Sequence, residues 1–218
     1  MTAPGGPRSH LALPEVLPAP GVLVLHPWWG LVPDVIAFAD RLAAAGYVAL
    51  APDLYGGGQT AATVEEAKAL AHALEQDDLD ARTRAGLDEL LARDDVTGDR
   101  TGVVGFSLGG GAALMLATHH APEHVAALVL YYEAYADLPW DRLRAPVLGH
   151  YASEDDFVEP AEIDAMRAAV EAAGGTIETH VYPGTQHWFA EPSRPEHREA
   201  AASLAWGRTL KLLESQFR

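Results

Sequence analysis

An α/β fold with a mostly parallel central sheet flanked by helices is predicted for this chain of 218 residues by three observations. Strand-like and helix-like segments alternate from end to end. The strand-like runs are short, apolar and bounded by turn residues, as strands buried in a sheet must be. No linker long enough to separate two domains interrupts the alternation, so one domain over residues 1–218 is expected, with residues 1–9 as a flexible terminus.

The elements follow in order. A short strand lies near His10 to Leu13, and the run Gly21 to His26, closed off by Pro20 and Pro27, reads as a buried strand. Pro33 opens a helix to about Ala45, since proline at the first helical position loses no hydrogen bond. Tyr47 to Ala51 is the next strand and ends in Pro52-Asp53. Thr63-Val64-Glu65-Glu66 has the form of a capping box, and Val64, Ala67, Leu70, Ala71 and Leu74 share one face of the helix behind it. Leu79, Thr83, Leu87, Leu90 and Leu91 mark another helix. Further strands are Thr101 to Phe106, Ala126 to Tyr131, Pro146 to Tyr151 and Thr176 to Tyr182. Two late helices are covered by Ile163, Met166, Val170 and Ala173, then by Trp206, Leu210, Leu213 and Phe217. Residues 101–118 carry no charge and reach the length of a membrane span, yet Gly105, Ser107 and Gly109 to Gly111 fit a buried strand followed by a buried helix instead.

Composition narrows the function. With 49% hydrophobic and 21% charged residues the chain can bury a substantial core. A net charge of −16 disfavours nucleic acid and anionic membrane as partners, because both are bound through an excess of lysine and arginine. Cysteine is absent, which excludes disulfides, thiol catalysis and cysteine-ligated metal. The segment MTAPGGPRSH has no apolar core of a secretory signal, so cytoplasmic residence is the expectation.

Between the strand and the helix of residues 101–118 stands Gly105-Phe106-Ser107-Leu108-Gly109, a G-x-S-x-G motif. Glycines are needed there because the serine sits on a sharp strand-to-helix turn where side chains would collide, and the turn leaves its hydroxyl exposed. The helix beyond supplies free N–H groups and a positive dipole end, both suited to an acyl-transfer oxyanion. Ser107 is therefore the candidate nucleophile. In an open parallel sheet functional groups gather at the carboxyl ends of strands. Two such ends provide an acid and a base: Glu154-Asp155-Asp156-Phe157-Val158 and Gln186-His187. The order serine, aspartate, histidine is that of α/β-hydrolases. Asp155 is favoured over its neighbours Glu154 and Asp156 because Val158 returns to the core three residues later, and Glu133 is the fallback acid.

Several phrases make the resemblance specific: Ala39-Asp40-Arg41-Leu42-Ala43 with Gly46 to Tyr55, Val104 to Gly110, Asp155 to Val158, and His187-Trp188-Phe189-Ala190. Over nearly its whole length the chain resembles the dienelactone hydrolase family of small α/β-hydrolases. The resemblance implies an α/β-hydrolase fold, with nucleophile, acid and base on Ser107, Asp155 and His187. It also shows three departures. Ser107 stands where the family typically has cysteine; Pro27 stands where a glutamate tunes that thiol; Glu191 stands where an arginine of the type enzyme binds the substrate carboxylate. The first two belong together, since a serine is activated by a histidine that takes its proton during attack and needs no thiolate control.

The implied reaction is hydrolysis of a small-molecule ester or lactone through an acyl-enzyme, without cofactor or metal. The N–H groups of Leu108 and Trp28 would bind the oxyanion, with Gly30 letting the second turn bend. Trp29, Tyr55 and Trp188 are candidates for a substrate pocket, within a wider aromatic set of Trp28, Trp140, Phe157 and Phe189. Glu191 in place of arginine predicts preference for neutral substrates over anions. Gly56-Gly57-Gly58-Gln59 is a mobile rim or a plain connector, and no insertion is long enough for a lid domain. His119, His120 and His124 do not read as a metal site, because Pro122 interrupts their spacing. A thioesterase or peptidase using the same triad, or a binding protein for acyl ligands, are the alternatives. The oligomeric state is not readable.

Overall fold

Residues 9–217 are described by the computed structural model. Seven strands form one sheet: β1 (Ser9–Ala12), β2 (Ala19–Leu25), β3 (Val48–Pro52), β4 (Val96–Phe106), β5 (Val125–Tyr131), β6 (Val147–Glu154) and β7 (Ile177–Gln186). Six α-helices connect or cover them: α1 (Pro33–Ala44), α2 (Val64–Ala73), α3 (Gln76–Leu91), α4 (Leu108–Met115), α5 (Pro160–Ala172) and α6 (Glu199–Gln216). The strand order is β1-β3-β2-β4-β5-β6-β7. β1 pairs antiparallel with β3, and every other pairing is parallel. Of the terminus expected to be flexible, residues 1–8 lie outside the described residues, while Ser9 is paired with Pro52 at the start of β1.

Alternating side chains of the central strands divide the core in two. Val22 and Val24 of β2, Ala49 and Ala51 of β3, and Val104 and Phe106 of β4 join Phe38 of α1 and Leu213 of α6 on one face. Leu23, Leu25, Val48, Leu50 and Val103 join Leu87 of α3, Leu114 of α4 and Met166 of α5 on the other. Val22 to Leu25 are fully buried, and burial of each such side chain contributes about 1.5–3 kcal/mol. This two-sided burial is why the strands read as apolar runs.

One strand boundary differs by several residues from the sequence expectation. β4 begins at Val96 rather than Thr101, and its first half is mostly exposed and polar. That half pairs with Ala19 and Pro20 of β2 before the register shifts, so it lies at the rim and carries no apolar signature. The helix of the capping box starts as expected: Thr63 and Glu66 satisfy each other's backbone N–H groups at the head of α2. After α4 the chain winds through a wide turn at Leu116–His120 and a tight one at Pro122–His124. Those turns hold His119 and His120 in one and His124 in the other, with His120 beside Asp80 at 3.1 Å and His124 Nδ1 donating to the Asp99 carbonyl at 2.7 Å. Among the described residues, no helix is long and apolar enough to cross a membrane.

From β2 the chain moves to β3 on one side and then to β4 on the other, so strand order reverses between β2 and β4. The crevice outside the carboxyl ends at such a reversal is where open α/β sheets place their sites. Ser107 and the turn at Trp28 both lie there.

Candidate active site

Ser107 directly follows β4 and caps α4 with φ 49° and ψ −118°. A non-glycine residue held in such a region costs about 1–3 kcal/mol, so the surroundings must impose it. They do so through its backbone: the Ser107 N–H donates to the Tyr131 carbonyl at 2.9 Å, and the Ser107 carbonyl accepts from Gly111 N–H at 3.1 Å. The flanking glycines are required by contact. A Cβ at Gly105 would strike the Gly109 carbonyl, and one at Gly109 would strike that of Leu25.

His187 immediately follows β7 and is 4% exposed. Its Nε2 lies 3.1 Å from Ser107 Oγ, and its Nδ1 lies 2.8 and 2.9 Å from the two carboxylate oxygens of Asp155. Nδ1–H donates to the carboxylate, which leaves the Nε2 lone pair for the serine hydroxyl to donate to. Asp155 is itself fixed, since Oδ1 also accepts from the N–H groups of Phe157 and Val158 at 2.9 and 3.1 Å. Glu154 and Asp156, by contrast, are exposed. Glu133 hydrogen-bonds to Ala134 N–H at 3.1 Å and leaves Nδ1 of His187 to Asp155. The arrangement can take a proton from a hydroxyl at Ser107 and hold the imidazolium that results.

The turn at Trp28 is braced from behind. Leu54 N–H donates to His26 Nε2 at 2.9 Å, which puts the His26 proton on Nδ1, where it donates to the Pro27 carbonyl at 2.7 Å. Tyr55 donates its hydroxyl to the Trp28 carbonyl at 2.8 Å. Gly30 closes the turn at φ +86°, its N–H donating to Pro27 at 3.1 Å. Asp53 accepts from the N–H groups of Tyr55 and Gly57 at 3.0 and 2.9 Å and also from Gly58. Burial pushes the Asp53 carboxyl up, but the N–H groups of Tyr55 and Gly58 pull it the other way, and it stays below its ordinary value. Gly56 to Gly58 are thereby tied to the site's back wall as a pinned connector.

Three side chains expected in the substrate pocket are placed otherwise. Tyr55 is buried and spends its hydroxyl on the Trp28 carbonyl. Trp29 is 2% exposed beneath the Arg194 guanidinium, which stacks 3.5 Å over its ring. Glu191 is 3% exposed and points inward, accepting the Tyr132 hydroxyl at 3.0 Å. Alignment fixes which residue occupies a position but not which way its side chain turns, and a carboxyl with a buried donor within reach turns inward. Glu191 and Pro27, both departures from the family pattern, line one small cavity together. Trp188 stays at the site: it stacks with Trp28 at 5.8 Å and meets the His187 ring edge-on at 5.2 Å. Phe157, half-exposed, packs at 4.7 Å from His187 and completes an aromatic wall.

Tyr132 escaped the sequence reading. It sits at φ 48° with no glycine to signal the turn, and its ring lies 4.7 Å from that of His187. Burial and the Glu191 carboxyl push its hydroxyl well up, so it is a standing donor to Glu191.

Burial pushes Glu191 up to about 8, against the pull of Tyr132 and Arg194. A carboxyl raised above its ordinary 4.5 binds its proton more tightly folded than unfolded, so its contribution to stability is full below that value and is lost as pH rises towards 8. Glu133, also pushed up by burial to about 8, acts in the same sense. Thermal unfolding of the wild type should therefore fall between about pH 5 and pH 8, and Glu191→Gln should lose about half of that slope. Equal slopes in the two proteins would place the proton elsewhere.

Comparison with known proteins bears on the family and the fold. A sequence profile of the dienelactone hydrolase family matches residues 8–217. A provisionally named carboxymethylenebutenolidase of Methylorubrum extorquens is 32% identical over 215 residues, covering 92% of this chain and 74% of that one. Protein usf of Aquifex pyrophilus is 28% identical over 211 residues, covering 93% and 90%. Among solved structures, one titled m3DLH superposes with a TM-score of 0.85 at 26% identity, covering 98% of this chain and 100% of that one. The dienelactone hydrolase of Anabaena variabilis gives 0.69 at 23%, covering 97% and 93%, and bears on the fold alone.

Proposed function

Because the chain belongs to the dienelactone hydrolase family, we propose that it hydrolyses a small carboxylic ester or lactone through an acyl-enzyme on Ser107. The observation that carries this reading is the continuous hydrogen-bonded run from Asp155 through His187 to a serine held at φ 49° on a helix N-terminus. His187 removes the hydroxyl proton as Ser107 Oγ attacks the acyl carbon, and Asp155 holds the ring and stabilises the imidazolium. The tetrahedral oxyanion is received by the N–H groups of Leu108 and Trp28, at the head of α4 and in the braced turn. His187 then returns the proton to the leaving alcohol, and water attacks the acyl-enzyme by the same route.

Serine chemistry also accounts for Pro27. A thiolate would call for an ionisable neighbour, whereas a hydroxyl deprotonated only during attack does not. The leaving group must come within hydrogen-bond reach of His187, so the wall of Trp28, Phe157 and Trp188 receives the alcohol.

The test pairs p-nitrophenyl acetate and butyrate hydrolysis with a fluorophosphonate probe. Turnover should disappear in step with one label per chain, carried on the peptide containing Ser107. Turnover that survives complete labelling, or a chain that neither turns over nor labels, would refute the reading and favour a binding protein instead.

A further inference from the structure

Beside the nucleophile helix lies a groove of about 620 Å3. Leu108 and Met115 of α4, Leu74 and Leu79, and Glu133 and Tyr135 line it. The volume is that of a small-molecule site. Its lining includes Leu108, the residue next to Ser107, and no residue of the segment after β7. The leaving alcohol must stay near His187, so the arm that enters this groove is the one that remains on Ser107, the acyl arm.

The groove's polar lining is Glu133, the Tyr135 phenol and Gln76, whose amide donates to Asp80 at 2.8 Å, and no lysine, arginine or histidine lines it. Glu133 fits there because α4 carries glycines opposite it: a Cβ at Gly110 would lie 2.6 Å from the Glu133 Cβ, and one at Gly111 would press on the Tyr135 ring at 3.3 Å. Oε1 accepts the Ala134 N–H, which leaves Oε2 to carry a proton when the carboxyl is neutral. We propose that Glu133 reads the acyl arm as a hydrogen-bond donor, selecting uncharged acyl chains that carry an oxo or hydroxyl oxygen a few carbons from the ester carbonyl. This rests on the hydrolase reading above and deepens it.

Burial pushes the Glu133 carboxyl up to about 8, with Glu162 of α5 and Asp155 after β6 adding to the rise. The phenols of Tyr135 and Tyr151 are the other titratable groups close to it, and both are pushed up as well. At neutral pH Glu133 is thus a donor; above about pH 8 it becomes a carboxylate and repels an oxygen in the same place.

The experiment compares kcat/KM for p-nitrophenyl 4-oxopentanoate and 5-oxohexanoate with pentanoate and hexanoate, at about pH 6.5 and about pH 9. One hydrogen bond predicts that at least one oxo ester exceeds its alkyl partner by about tenfold at the lower pH, and that the ratio falls at the higher. Glu133→Leu should bring the ratio to about one at both. Glu133→Gln, which still donates through its amide, should keep a preference that no longer depends on pH. Wild-type turnover with an unchanged ratio in Glu133→Leu would overturn the assignment of Glu133 and leave the hydrolase reading standing. A wild type that neither hydrolyses these esters nor labels with fluorophosphonate overturns both.

Discussion

Replacing Ser107 by alanine is expected to lower kcat for a p-nitrophenyl ester by about three or more orders of magnitude, with the fold intact. The hydroxyl is the one atom of this arrangement that can form the acyl bond, so its loss removes the covalent route and leaves only what oxyanion donors and binding supply. The fold should survive because the turn is imposed by the backbone contacts of Ser107 with Tyr131 and Gly111, none of which uses the side chain. Alanine also keeps the same Cβ at φ 49°. Circular dichroism and thermal unfolding check the fold, and single-turnover kinetics check the chemistry. An alanine variant that hydrolyses esters at a comparable rate would move the nucleophile elsewhere.

What the sequence revealed, and what it hid, follows from the range of the forces involved. Each strand with two buried faces was visible as an apolar run, and the turn at Ser107 was visible because close backbone approach demands glycine at 105 and 109. Asp155 and His187 could be singled out because each comes at the end of a strand, where parallel sheets expose side chains. The first half of β4 was invisible, for its exposed Thr97 to Asp99 carry no burial pattern. Tyr55, Trp29 and Glu191 were misplaced for another reason. Whether an aromatic or acidic side chain near a strand end faces a cleft or the interior is decided by a distant partner: the Trp28 carbonyl for Tyr55, Arg194 for Trp29, Tyr132 for Glu191. Such partners lie 27 residues apart or more in the sequence and leave no local trace. With Glu191 turned inward, the preference for neutral substrates expected from it loses that support, and what remains is that no lysine or arginine lines the groove proposed for the acyl arm.

The identity of the acid gives the second large effect. Asp155→Asn is expected to reduce kcat by about two to four orders of magnitude, and Asp156→Asn by less than about threefold. The two residues are adjacent and chemically equal, so the contrast isolates geometry. Asp155 holds His187 Nδ1–H with both oxygens, at 2.8 and 2.9 Å, and is almost wholly enclosed, its side chain 2% exposed. Asp156 is exposed. An asparagine at 155 can keep Oδ1 on the N–H groups of Phe157 and Val158, which turns its amide N–H towards His187. That N–H would favour the tautomer with a bare Nδ1 and the proton on Nε2, facing Ser107 where a lone pair is needed. The base is then blocked rather than removed, so the loss should fall in kcat with KM little changed. A greater loss from Glu133→Gln than from Asp155→Asn would transfer the role of acid to the end of β5, which the 2.8 Å contact between Asp155 and His187 argues against.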